Sequence, residues 1–242
     1  MTSGLAIRGG VDVHCVDIDH VYRLDGQDVV ALRDIQLDVA EGESVALFGP
    51  SGSGKSTLLS LLAGLHRPTR GAVWVGDQDV AVLSERQLLR LRGDQVGVVV
   101  QNPSRSLLPY GTAEDNIRFA QRATPRARRA TLAAPIELLS SLGLADLAGQ
   151  RVARLSGGEQ QRLSVAVAMA GGPRLLLADE PTSQLDAHNR DVVAALLHRV
   201  VSVYGATMLV VTHDPAVADT LHRRVTLAEG RIVDAGVSGG LR

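Results

Sequence analysis

Cysteine is almost missing from this chain of 242 residues. Cys15 stands alone, which excludes an internal disulfide and any cysteine-rich metal centre and fits a reducing compartment. Net charge is also nearly absent, at −1, so no basic field points to nucleic acid or to an anionic membrane surface. No apolar run reaches the roughly 18 residues that would suggest a membrane-spanning helix. The opening stretch MTSGLAIRGG lacks the apolar core of a secretion signal. The expected location is therefore the cytoplasm, with no direct membrane insertion and any membrane role exercised through a partner. There is no internal repeat, low-complexity tract or heptad array. What remains, 45% hydrophobic and 21% charged residues, suits one large α/β domain or a domain with an inserted subdomain.

Lysine is scarce too, and that scarcity is informative. Of 25 basic residues, only Lys55 is a lysine. A chain that uses arginine everywhere else keeps lysine where a compact ammonium is needed rather than a planar fork. Lys55 sits in GPSGSGKST, residues 49–57, where Gly49, Gly54, Lys55 and Ser56 have the spacing of a phosphate-binding loop. Between them, Pro50, Ser51, Gly52 and Ser53 form the curl, in which the amides other than that of Pro50 can point inward at phosphate oxygens, and Thr57 follows in the helix. The positive end of that helix adds to the grip. Lys55 should reach the terminal phosphates and Ser56 should ligate Mg²⁺.

The flanking pattern places this loop between a strand and a helix. Strands are expected over residues 11–22 and 29–39, joined by a turn at Asp25-Gly26, and over Ser44–Phe48 just before the loop. TLLSLLAGL follows as a helix, then a strand pair over 72–82 with Trp74 on one face, the helix SERQLLRLR, and a buried strand over 96–100. Residues 102–165 change character, with several prolines and a helical pattern in ARRATLAAPIELLSSLGL. This stretch reads as a helical insert. RLLLA, TMLVV and RRVTLAE are the remaining strands, with the helix NRDVVAALLHRVVSVYG between the first two. The chain stops soon after the last strand, which leaves no room for a regulatory domain.

Two further segments carry chemistry. LLLADE, residues 175–180, is an apolar strand ending in two acids. Asp179 beside the loop would hold Mg²⁺ through its water shell, and Glu180 would polarise the attacking water. LSGGEQQR, residues 155–162, places Ser156, Gly157 and Gly158 where a helix can open with a hydroxyl and two free amides. That makes a second anion-gripping helix start in one chain.

With that octet the chain resembles the ABC ATPases, whose signature it is, and the resemblance runs from about Tyr22 to Gly236 in matching motif order. It implies a P-loop NTPase (RecA-like) α/β core with an antiparallel β subdomain and an inserted helical subdomain, forming one ABC ATPase domain over 1–242. The core would comprise 11–101 and 166–236, and the helical subdomain, carrying the signature, 102–165. The resemblance also implies ATP and Mg²⁺ as cofactors and a head-to-tail dimer, two copies of this chain being the simplest form. In that dimer the segment Ser156–Glu159 of one subunit closes on ATP held by the other. Tyr22 matches the aromatic that stacks on adenine, and Gln101 the glutamine that touches Mg²⁺ and water and senses a membrane partner. Asp186 matches the acid that communicates across the dimer, and His213, in VVTHD, the histidine that contacts the γ-phosphate.

LLPYGTAEDNI, ADEPTSQLD and VVTHD are similar to the branch of lipoprotein-release, macrolide-export and cell-division ATPases, which work on integral membrane permeases. Ser183 and Gln184 stand where that branch usually has Gly-Asn, and Val167 where the family commonly has arginine. Neither change removes a group that touches ATP. The implied function is an ATPase driving a separate permease from the cytoplasmic side of the membrane, for export, lipid handling or mechanotransmission. A small-solute importer subunit or a regulator of a cell-wall enzyme stays open. A DNA-maintenance ABC ATPase would need long coiled coils or zinc cysteines, and a translation factor two cassettes, and this chain has none of these. Arg122, Arg126, Arg128 and Arg129 form a basic cluster, expected to be a solvated helix face.

Overall fold

The computed structural model describes residues 9–183, 185–203 and 205–236. Gln184 and most of the amino-terminal stretch read for a signal lie outside the described residues. Two sheets form the frame. β1 (Val13–Leu24), β2 (Gln27–Val39), β4 (Arg70–Val75) and the short β5 (Gln78–Asp79) make an antiparallel sheet in the order β2-β1-β4-β5. The second sheet has six strands in the order β10-β9-β3-β8-β7-β6, from β3 (Ser44–Phe48), β6 (Val96–Val99), β7 (Leu175–Asp179), β8 (Thr207–Val211), β9 (Arg223–Ala228) and β10 (Arg231–Asp234). Five of these run parallel, and β10 adds an antiparallel edge.

The central strands are apolar after their first residues because helices or a second sheet cover both faces. β3 and β8 are buried at every position. Their alternate side chains part into two cores. Ala46, Phe48, Leu176, Ala178, Met208 and Val210 face one cluster with the inserted helices. Val45, Leu47, Leu175, Leu177, Leu209 and Val211 face the other, which joins α1 (Lys55–Leu62) to the antiparallel sheet.

The expected elements at β3, β6, β8 and α1 are present, and α2 (Glu85–Asp94) starts at a Ser84–Gln87 capping box. The insert is helical but more broken than its pattern suggests. α3 (Ala113–Gln121) and α5 (Gly157–Met169) are regular. The helical pattern over 127–144 is interrupted: a 3₁₀ segment, Arg126–Thr131, is followed by α4 (Pro135–Ser141). Pro135 fixes the break: it opens α4 at its first turn and holds Ala134 extended, with ψ 144. α6 (Ala187–Ser202) stops short of the expected end at 205. The short α7 (Pro215–Ala218) and the edge strand β10 were not anticipated. β10 follows a turn at Glu229-Gly230 with φ of 49 and 76, the geometry also found at Asp25-Gly26.

Among the described residues, no helix is long and apolar enough to cross a membrane.

Candidate functional site

The loop between β3 and α1 owes its shape to positions where only glycine fits. Gly49 has φ 140, and a Cβ there would stand 1.9 Å from the Leu227 carbonyl oxygen. Gly54 caps α1 with φ 102. Inside the curl, the Lys55 ammonium donates to the carbonyls of Gly49 at 2.9 Å and Pro50 at 2.8 Å. Burial lowers the Lys55 pKa, while Glu180 and Asp179 pull it back up.

The loop forms one wall of a cleft of about 720 Å³. Ser51 to Thr57 line it, and Gln101, Asp179, Glu180 and His213 complete it from three other segments. Each segment follows a parallel strand: Gln101 comes just after β6, Asp179 ends β7, Glu180 follows it, and His213 lies just beyond β8. Because these strands share one sheet with β3 and point the same way, their carboxyl ends deliver residues remote in sequence to one crevice.

Glu180 is held in an unusual state. Its backbone is left-handed, with φ 49, and its amide donates to the Val211 carbonyl at 2.9 Å. The residue is 8% exposed, and its Oε1 stands 3.1 Å from His213 Nε2. Burial pushes its pKa above the ordinary glutamate value, whereas His213 and Lys55 pull it down. An acid of raised pKa next to a polar partner in a cleft has the character of a proton acceptor.

Several residues at this cleft escaped the motif reading. Val29, Val30 and Ala31 come from β2, where the pairing with β1 skips Ala31 between His20↔Leu32 and Val21↔Val30. Thr182, Ser183, Arg190 and Asp214 also line it, with Arg190 Nε 3.3 Å from Asp214. These two sit on separate segments, and no sequence spacing announces their meeting.

Other expected site residues lie elsewhere. Gly49 and Pro50 shape the loop without lining the cleft. Tyr22 does not line it either, but its hydroxyl donates to Thr57 Oγ1 at 3.3 Å. Asp186 is the N-cap of α6: its carboxylate accepts from the Asn189 amide at 2.9 Å and from the Asn189 side chain at 2.7 Å. Arg162 of α5 donates to the same Asn189.

Ser156, Gly157, Gly158 and Glu159 do not line the cleft of their own chain. Ser156 caps α5: its Oγ accepts from the Glu159 amide at 3.3 Å, and the Glu159 carboxylate accepts from the Ser156 amide at 2.7 Å. A Cβ at Gly157 would meet nothing within 4 Å, so packing inside this chain does not require glycine there.

The arginine cluster is partly internal. Arg128 pairs with Asp94 and donates to the Gly171 carbonyl, and Arg129 holds the Thr124 and Arg122 carbonyls. Arg122 and Arg126 are exposed.

Comparisons with known proteins agree with this geometry. The profile of the family described as ABC transporter matches residues 32–183. The lipoprotein-releasing system ATP-binding protein LolD of Anaeromyxobacter dehalogenans (strain 2CP-C) is 46% identical over 207 residues, covering 85% of each chain. The macrolide export ATP-binding/permease protein MacB of Escherichia coli (strain K12) is 41% identical across 90% of this chain, which spans 33% of that longer protein. Among solved structures, the ATP-binding cassette MJ0796, a dimer in a post-hydrolysis state bound to ADP and Pi, superposes with a TM-score of 0.85 at 33% identity. That match covers 95% of this chain and all of the other. The chain belongs to the ABC transporter family, as its ATP-binding and ATP-hydrolysing subunit.

Proposed function

We propose that two copies of this chain close head to tail on two ATP molecules and thereby drive a separate integral membrane permease, for export of a lipid-like or hydrophobic cargo. The observation that carries the reading is the division of labour within one chain. A single cleft gathers the lysine loop, Gln101, Asp179, Glu180 and His213, while the serine-glycine start of α5 stands outside it. A second copy supplies the missing wall. Residues 11–101 and 166–236 then act as the core, and 102–165 as the arm that presents the signature, with α5 running across the second boundary.

Each residue has a task in that scheme. Lys55 and the loop amides bind the triphosphate, Tyr22 stacks on the base, and the helix start at Ser156 receives the phosphates from the partner's side. Glu180 takes a proton from the attacking water, and His213 orients it and the γ-phosphate. Asp186 stands near the junction between copies. The donor set fits Mg²⁺: Ser56, Asp179 and Gln101 offer hydroxyl, carboxylate and amide oxygens to one cleft. Among the described residues no cluster of three or more His, Cys, Asp or Glu could hold a metal alone, so an ion here relies on these mixed donors and the nucleotide. When bound, Mg²⁺ neutralises phosphate charge.

Lipoprotein release and macrolide export are what the relatives' names describe, and both support the export reading. The chain would then work at the cytoplasmic face of the membrane, held there by the permease.

The test is Glu180→Gln, which keeps the shape of the side chain and removes its basicity. Turnover should fall about a hundred-fold or more. With ATP and Mg²⁺, the variant should run as a dimer in size exclusion with light scattering, and as a monomer without nucleotide. A variant that stays monomeric at saturating ATP sinks the two-copy scheme.

A further inference from the structure

His20, on β1, is 6% exposed, and neither of its ring nitrogens makes a well-formed hydrogen bond, although the Arg67 backbone lies near. Burial pushes its pKa down and His66 pushes it the same way, so the imidazole is neutral at physiological pH. A buried, poorly satisfied imidazole costs the fold stability that an apolar side chain would not. Positions that break a local rule in this way are where function should be sought.

Its neighbours indicate the function. The His20 and Tyr22 ring centroids are 4.6 Å apart, with the rings at 86°. His66, four residues beyond the end of α1, meets the same tyrosine at 5.7 Å and 90°. The two imidazoles are 6.1 Å from each other. Both imidazoles therefore stand perpendicular to the phenol and within contact of each other, so the three rings pack as one group. The phenol hydroxyl is tied to Thr57, which belongs to α1 and lines the cleft. Tyr22 also pairs across the hairpin with Val29, another lining residue, which puts the ring at the cleft's edge.

We propose that His20 and His66 are positioning residues for the nucleotide base. Packed perpendicular to Tyr22, they hold its ring in one orientation, which makes it a ready stacking platform for the purine of ATP. The inference rests on the reading of Tyr22 as the base-stacking residue. A half-exposed tyrosine without such support samples several rotamers, and affinity falls in proportion to the population of the competent one. Edge-to-face aromatic pairs are strong enough to shift that population several-fold. Lys55 and the loop hold the triphosphate independently, so the loss should fall on the base alone.

The experiment uses the full chain with Tyr22→Ala, His20→Ala, His20→Phe and His66→Ala. Steady-state kinetics give KM and kcat for ATP, and calorimetry gives affinities for ATP and for inorganic tripolyphosphate. Each histidine-to-alanine change should raise KM for ATP about three- to ten-fold, with the effect on KM rather than kcat. Tripolyphosphate affinity should stay at the wild-type value, and His20→Phe, which keeps an aromatic edge, should recover most of the loss. His66 is exposed, so its alanine variant tests the positioning role even where His20→Ala folds poorly. If Tyr22→Ala weakens ATP binding while the His66 variant binds ATP as the wild type does, the positioning role is overturned and the base site stands. If Tyr22→Ala leaves ATP affinity untouched, the base site falls and the inference falls with it. An equal loss of ATP and tripolyphosphate in the histidine variants marks a structural role and also overturns the proposal.

Discussion

At Glu180 a left-handed backbone, deep burial and an imidazole neighbour meet in one residue. Each of the first two costs the fold something, and together they set the chemistry. The fold favours the protonated carboxyl, so the stability this group contributes is present at low pH and is lost as pH rises through its raised folded pKa. In the role proposed for Glu180, activity runs the other way, because a general base must be deprotonated. The acid limb of kcat should therefore lie above the ordinary glutamate value of about 4.3. His213→Gln removes one of the groups holding the pKa down, so the limb should move to still higher pH while kcat falls. A kcat–pH profile of both proteins checks this, and a limb at the same pH in both would separate His213 from Glu180. Lys55, Asp179, Glu180 and His213 were legible in the sequence because each sits in a short motif after an apolar strand. Arg190, Asp214 and the β2 residues at the cleft were not, because their places depend on how segments pack.

The element scale is clearest at the start of α5. Ser156 serves the helix and Gly157 does not serve its own chain, so the two should separate on substitution. Ser156→Ala removes a cap and should cost about 1 kcal/mol, or roughly 2–4 °C in Tm for a chain of this size. Gly157→Ala should leave the melting curve near wild type, since its Cβ meets nothing within 4 Å, and yet weaken ATP-dependent dimer formation. Thermal melts beside light scattering check both, and a large Tm loss in Gly157→Ala would mean the glycine is needed within the chain. Strands such as Ser44–Phe48 and Thr207–Val211 were readable to the residue because burial on both faces makes every position after the first apolar. The break inside the helical pattern over 127–144 was not visible in its apolar spacing, which continues through Pro135, where backbone geometry overrides the pattern. The edge strand β10 escaped because only one of its four positions is even half-buried, which leaves no alternation to read.

For the whole molecule, the parallel sheet does two things. It separates two hydrophobic cores, and it turns strand order into proximity. β8 lies between β3 and β7 although it comes after both in the chain, so the side-by-side placement of Lys55, Glu180 and His213 follows from topology. The alternation of apolar residues shows that strands exist, but their order depends on crossover packing that sequence patterns leave unspecified. The antiparallel sheet matters for the same reason: β2 runs beside the β9–β10 turn, where the Arg33 backbone amide donates to the Gly230 carbonyl at 2.8 Å and ties the two sheets together.

That the start of α5 stands outside its own cleft has a consequence for mixtures of damaged chains. Take one preparation carrying Lys55→Met and another carrying Gly157→Arg. In the head-to-tail pair proposed above, every composite site of either preparation alone contains one lesion, and neither should turn over ATP. In a heterodimer of the two, the damaged loop faces the damaged helix start, so both defects fall in one compartment and the other is assembled wholly from sound parts. Combining the two inert samples should therefore restore ATP turnover, at a level set by the fraction of mixed pairs.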